Sequence, residues 1–205
     1  MAIASQSYTL HLVTPDGDAI ADAQVLQGTW STDQYLRLTD QTNRLLEFTD
    51  GVLEVLPMPT DQHQDLLAFL FLALHAFLYP SGGKVQFAAL RLQINKGKFR
   101  EPDLLALLDA NDPRRQHAHW LGADLVMEVV SPDNPERDTV TKRAEYAEAH
   151  IPEYWIVNPL DETVTVLRLQ GEEYAEHGLF RRGDMASSAL LAGFSVQVSE
   201  LFDAR

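Results

Sequence analysis

The chemistry suggested by this sequence rests on two carboxylates in apolar strands and a lysine on the helix that follows. Asp103 comes directly after Glu101-Pro102 and opens the run Leu104-Leu105-Ala106-Leu107-Leu108. A carboxylate in such a run costs free energy unless it is paired or binds a cation. The competing reading is a strand-edge acid that faces solvent. Glu128 lies within Asp124-Leu125-Val126-Met127-Glu128-Val129-Val130, otherwise a continuous apolar strand, where alternation gives it one face with Val126 and Val130. An isolated carboxyl there would have a raised pKa and lose its charge. A cation, an Arg partner or backbone donors would keep it ionised. Lys142 has Asp138 four residues before it and Tyr146 four after, so the three share one helix face. Spacing alone favours an exposed Asp138–Lys142 pair worth ~0.3–0.5 kcal/mol.

His63 falls in the first turn of a strongly apolar helix, beside Asp61, Gln62, Gln64 and Asp65. The helix dipole disfavours imidazolium there, so a neutral ring is expected, serving as ligand, proton carrier or simple polar helix start. His117 and His119 have no partner at metal-like spacing and read as surface residues. Ser187-Ser188 lacks a glycine frame and reads as a turn. There is no glycine-rich phosphate loop, nucleophile elbow or His-Glu-x-x-His pattern.

These residues need a scaffold, and its signals are mostly strands. Residues 1–28 read as a lead-in, with a strand over Tyr8–Val13 before the turn Pro15-Asp16-Gly17. Ser31 with Gln34 makes a capping box for a helix over 32–38, with Trp30 and Tyr35 placed as a hydrophobic staple. Asp50-Gly51 joins strands over 44–49 and 52–56 as a hairpin. Pro57-Met58-Pro59 ends the second strand, and Thr60 is placed to cap a helix from Asp61 to Tyr79. That helix is apolar nearly all round, which predicts burial on most sides. Strands follow over 84–94 and 103–108, joined through Asn95-Lys96-Gly97-Lys98, then a polar loop and a strand over 124–130. A helix over 137–149 and strands over 153–157 and 163–169 lead to the C-terminal region. The pattern predicts an α/β or α+β class built around one mixed sheet.

Composition narrows the options further. The 205 residues are 45% hydrophobic, with nine Phe, six Tyr and three Trp, enough for a sizeable core. The absence of cysteine removes disulfides, thiolate nucleophiles and every Cys-based metal site. The opening residues lack a basic and apolar leader, and the stretch Leu66–Tyr79 falls short of the ~20 residues of a membrane span. A soluble, cytoplasmic protein is expected. The net charge of −14 argues against a broad nucleic-acid-coating surface. Residues 84–100 run the other way: Lys84, Arg91, Lys96, Lys98 and Arg100 stand without an acid, and the segment leads into Asp103. Phosphate contact by this segment is the expectation.

Taken together, the motifs resemble the Uma-two family of restriction-endonuclease-like proteins, a branch of the PD-(D/E)xK nuclease superfamily. The resemblance rests on Glu47-Phe48-Thr49-Asp50-Gly51, Pro59 with His63, Pro102-Asp103, Glu128-Val129-Val130-Ser131-Pro132, Asp138 with Lys142 and Tyr146, and Ile151-Pro152-Glu153-Tyr154-Trp155-Ile156-Val157-Asn158-Pro159. It runs from about Trp30 to the C-terminus, so that residues 1–28 form an extension and 29–205 the domain.

The resemblance implies a restriction-endonuclease-like fold, a mixed central sheet flanked by helices. Asp103 and Glu128 would ligate Mg²⁺ or Mn²⁺ with the backbone carbonyl of Val130. The Lys of the simplest motif, two residues after the Glu, is replaced here by Val130, and Lys142 matches a migrated position. His63 would reach the same site from the preceding helix, with Glu47 a further candidate. The function implied is metal-dependent endonucleolytic hydrolysis of DNA. The competing reading is a catalytically silent nuclease fold used as a binding or regulatory module, with a homodimer as the candidate assembly. A third reading is hydrolysis of a small phosphoester.

Overall fold

The computed structural model of the chain describes residues 11–13, 19–22 and 26–205. Residues 8–10 of the expected first strand and the turn Pro15-Asp16-Gly17 lie outside them. β1 (His11–Val13) and β2 (Ala19–Asp22) pair antiparallel. The capping box forms as its residue types dictate. The Ser31 hydroxyl accepts from the Gln34 amide, and the Gln34 side chain accepts from the Ser31 amide, starting α1 (Thr32–Thr39). Tyr35 is fully buried and donates its hydroxyl to the Leu46 carbonyl at 2.9 Å.

β3 (Leu46–Thr49) and β4 (Val52–Val55) form the expected hairpin, with Asp50 and Gly51 both at positive φ, 46° and 88°. Those signs are what a two-residue turn matching strand twist requires. Thr60 caps α2 (Asp61–Leu78) by accepting from the His63 amide. This helix departs from the expected burial. Leu66, Leu70, Leu74 and Leu78 form one buried stripe, whereas Leu72 and the following Tyr79 are 65% and 69% exposed. The segment Asp61–Ser81 also has the length and mean hydropathy, 1.3, of a membrane span.

The expected strand over 84–94 is two strands in two different sheets. β5 (Lys84–Phe87) ends before the chain turns, and β6 (Arg91–Asn95) hairpins into β7 (Lys98–Arg100). Then come β8 (Leu104–Leu107), β9 (His119–Trp120) and β10 (Leu125–Val129). A π-helical turn, Arg137–Thr141, leads into α3 (Lys142–Glu148). β11 (Glu153–Asn158), β12 (Thr163–Gln170), β13 (Glu173–Phe180), β14 (Met185–Ser187), β15 (Ser195–Gln197) and α4 (Val198–Phe202) complete the chain.

The class is mixed α/β, but the strands divide between sheets instead of forming one. The larger sheet has six strands in the order β13-β12-β11-β10-β8-β5, with β10 and β11 parallel. The smaller has five, β4-β3-β7-β6-β9. The α2 stripe packs on one face of the larger sheet with Leu104, Met127, Trp155 and Phe194. The opposite face buries Leu105, Val126, Tyr154 and Tyr146 of α3. Tyr35, Phe48 and Phe99 fill a third cluster under the smaller sheet. Because β10 is buried on both faces, its one carboxylate must find partners inside the protein.

Candidate active site

Glu128 finds them where β10 meets α3. Its Oε1 lies 2.8 Å from Lys142 Nζ and also accepts from the Tyr146 hydroxyl. Its Oε2 accepts from the Asp103 amide at 3.3 Å. Asp103 sits at the entry to β8, on the neighbouring strand. Its Oδ2 accepts from the Val129 amide at 2.8 Å and lies 3.1 Å from His63 Nε2. Asp103 is therefore not a solvent-facing edge acid, and Glu128 pairs with a lysine and a tyrosine instead of an arginine. Lys142 is also not on the surface: its pair with Asp138, at 3.1 Å, is buried on both sides.

The π-helical turn decides what else joins them. The Lys142 amide donates to the Arg137 carbonyl five residues back, a widening of the helix that recurs at functional sites. The Asp138 carbonyl in this turn accepts from the Tyr154 hydroxyl at 2.9 Å. With this wider spacing Arg137 and Lys142 reach the same acid, Glu47 of β3. Glu47 is 1% exposed and ion-pairs with Arg137, with Arg100 at 3.4 Å and with Lys142 at 3.8 Å. Arg137 holds Glu54 of β4 as well. Helical periodicity of 3.6 gave no reason to single out Arg137.

The charges shape one another. Burial, together with the Asp103 and Asp138 charges, pushes the Glu128 carboxyl up to about 8 against the pull of Lys142. Burial works against the Lys142 ammonium, but Glu128, Asp138, Glu47 and Asp103 keep it charged far above its ordinary range. Burial would raise Glu47 too, yet Lys142, Arg137 and Arg100 hold it below the usual carboxylate range. For His63, burial is outweighed by the hydrogen bond and charge of Asp103, so its pKa moves up. That contact opposes the effect of helix position, which on its own favours the neutral ring. Its Nδ1 is buried without a partner among the described residues.

His63, Asp103, Glu128, Asp138 and Lys142 line a cleft of about 760 Å³, walled by the β4–α2 and β10–α3 connections. Val130 lines it as well. Among the described residues no group of three or more His, Asp or Glu side chains is arranged to hold a metal ion. Asp103 and Glu128 nevertheless offer two adjacent hard-oxygen carboxylates. Mg²⁺ is commonly held through one or two carboxylates and keeps several of its waters.

The other sequence candidates separate from the site. Three of the five cations of segment 84–100 are held by acids from elsewhere in the chain. Arg91 is buried against Asp40 and the Ala118 carbonyl. Arg100 grips Glu145, and Lys98 pairs with Glu145 and Glu148. These partners lie far away in sequence, which hid them. His119 is half-buried, edge-on to Phe99, and burial lowers its pKa, so it is not the surface residue expected. Glu153 is fully buried and accepts from the Trp155 indole, the Ser188 hydroxyl and the amides of Ala189 and Leu190. Its place in the Pro-Glu-Tyr-Trp block is thus structural.

Residues 32–199 match the Uma2 family, described as "putative restriction endonuclease". The chain belongs to the Uma2 family. The crystal structure of a "putative nuclease belonging to DUF820" from Anabaena variabilis superposes with a TM-score of 0.71 at 19% identity, covering 85% of this chain and 98% of that one. At that identity the likeness establishes the shared fold. Comparison with curated proteins gives no match. In this Uma2 chain the matched span includes every residue of the charged cluster.

Proposed function

We propose that this Uma2 protein is a divalent-metal-dependent endonuclease that hydrolyses phosphodiester bonds in DNA. One observation carries the reading: Asp103, Glu128, Lys142 and His63, from four different elements, converge in one cleft. Asp103, Glu128 and the Val130 carbonyl would hold Mg²⁺ or Mn²⁺ through hard oxygens. When bound, such an ion lowers the pKa of a coordinated water and neutralises charge on a phosphodiester oxygen. Lys142, kept charged by its carboxylates, supplies a cation to the phosphoryl group as negative charge builds there. His63 takes up or returns a proton, with Asp103 orienting the ring through Nε2 and Nδ1 free among the described residues. Arg137 and Lys142 line the cleft beside Asp103 and Glu128 and are the cations nearest a phosphate bound there.

The test is incubation with supercoiled plasmid and single-stranded DNA in Mn²⁺ or Mg²⁺. Cleavage by the wild type, lost by at least ~100-fold in Asp103→Asn and Lys142→Met, is the expected result. Cleavage unchanged in Asp103→Asn would overturn the assignment.

A second reading has its own support. Lys142 and Tyr146 both occupy Glu128 Oε1, and the chain carries −14 overall. Both features suit a catalytically silent binding or regulatory module. DNA affinity that is insensitive to chelator, with no turnover, would favour it.

A further inference from the structure

We propose that the substrate of this site is single-stranded DNA, with the base beside the scissile phosphate packed against Phe87 and Met58. The proposal rests on the endonuclease reading and names its substrate class. Charge points away from a duplex. Among the described residues, six carboxylates line the cleft against two cations, Arg137 and Lys142. Both cations are already engaged, Arg137 by Glu47 and Glu54, Lys142 by Glu128 and Asp138. Proteins that grip duplex DNA do so through many Lys and Arg contacts to successive phosphates. Two shared cations suit one phosphate, not a run of them. Affinity for a strand then has to come from its bases.

The cleft offers an apolar surface for a base close to the carboxylates. Phe87 ends β5 in register with Leu104 of β8, and the next amide, that of Ala88, donates to the Asp103 carbonyl at 3.2 Å. Strand geometry therefore sets the Phe87 backbone about 6 Å from that of Asp103. The Phe87 carbonyl accepts from the Leu90 amide, and the ring meets Phe71 of α2 edge-on at 5.2 Å. Phe87 is thus held in place at the cleft while 50% of it stays exposed. Met58, 60% exposed, stands between Pro57 and Pro59, whose rings fix φ and stiffen the β4–α2 wall. Leu56 and Leu67 continue the same lining. A ring and a thioether accept any of the four bases, because every base has a π-face.

A base reaches this surface only when it is unpaired. In a duplex the bases are stacked inside, and a protein meets their edges in the grooves. The cleft holds about 760 Å³, the size of a site that encloses a small organic ligand. An unpaired nucleotide fits that space, whereas an intact duplex has no base face to offer it.

Initial rates in Mn²⁺ at subsaturating DNA test this on three labelled substrates of equal length: a single strand, the same sequence as a blunt duplex, and a single strand of abasic residues. The wild type is expected to cut the base-bearing single strand at least ~10-fold faster than either of the others. Phe87→Ala and Met58→Ala are each expected to lower the preference for the base-bearing over the abasic strand about 10-fold, and Phe87→Trp, which keeps a ring, to retain it. Equal rates on single strand and duplex, equal rates on base-bearing and abasic strands, or a preference that survives both alanine substitutions would overturn this inference and leave the endonuclease reading standing. No cleavage of any of the three would overturn both.

Discussion

Lys142 Nζ and Glu128 Oε1 meet at 2.8 Å in an interior where neither side chain is more than 5% exposed. The lysine has three carboxylates around it, with Asp138 at 3.1 Å and Glu47 at 3.8 Å completing the set. A single ammonium thus holds together acids from β3, β10 and the π-helical turn. Its removal leaves buried charge uncompensated, which costs far more than a surface pair returns.

Lys142→Met is therefore expected to destabilise the fold by ~3–5 kcal/mol in urea unfolding. Adding Glu128→Gln should recover part of that loss, because the two residues share one interaction. Strictly additive losses would show that the pair is not coupled.

Glu101 gives a pH signature. Burial, with Glu47 nearby, raises its pKa from 4.5 to about 8. Between those values the folded chain keeps a proton that the unfolded chain has released. Its contribution to stability is thus present at low pH and lost as pH rises toward 8. Glu101→Gln should gain on the wild type in thermal melts as pH goes from 5 to 8. A difference that stays constant with pH would contradict this.

Glu153 predicts a structural phenotype. Four donors converge on its carboxylate, and Glu153→Ala removes the acceptor they share, leaving the buried Trp155 indole without one. A loss of ~3–5 kcal/mol is expected, together with a changed near-ultraviolet dichroism signal from Trp155. Near wild-type stability would mean that the donors find other partners.

Gly51 sits at φ 88°, and a Cβ there would stand 2.7 Å from the Gly28 backbone. The Gly28 amide also donates to the Gly51 carbonyl at 2.8 Å. Gly51→Ala is expected to cost at least ~1–3 kcal/mol by calorimetric melting and to loosen residues 26–30 from the hairpin. Unchanged hydrogen exchange at Gly28 would contradict that link.

How far these features can be read from sequence depends on how local their causes are. The capping box at Ser31 and the Asp50-Gly51 turn are settled by neighbouring residues, and both form as their types require. Glu128 stands out because a charge within a run of Val, Leu and Met needs an internal partner. Lys142 looked like half of a surface pair, since helical spacing carries no information about burial. Arg137 was invisible because a π-helical turn replaces the 3.6 period at that point. The partners of Arg91, Lys98 and Arg100 are hidden for a related reason: Asp40, Glu145 and Glu148 are brought to the 84–100 segment only by folding. Nothing at Ala88-Ala89 resembles a turn, so one expected strand proved to be two.

The central claim is that Asp103 and Glu128 form a metal-binding pair. Calorimetric titration of Mn²⁺ into the wild type, Asp103→Asn and Glu128→Gln tests it without requiring a known substrate. The account predicts binding by the wild type that both substitutions abolish. Because burial raises the pKa of the Glu128 carboxyl, that binding should strengthen as pH rises. No binding at millimolar Mn²⁺ by the folded wild type, or equal binding by all three proteins, would contradict it.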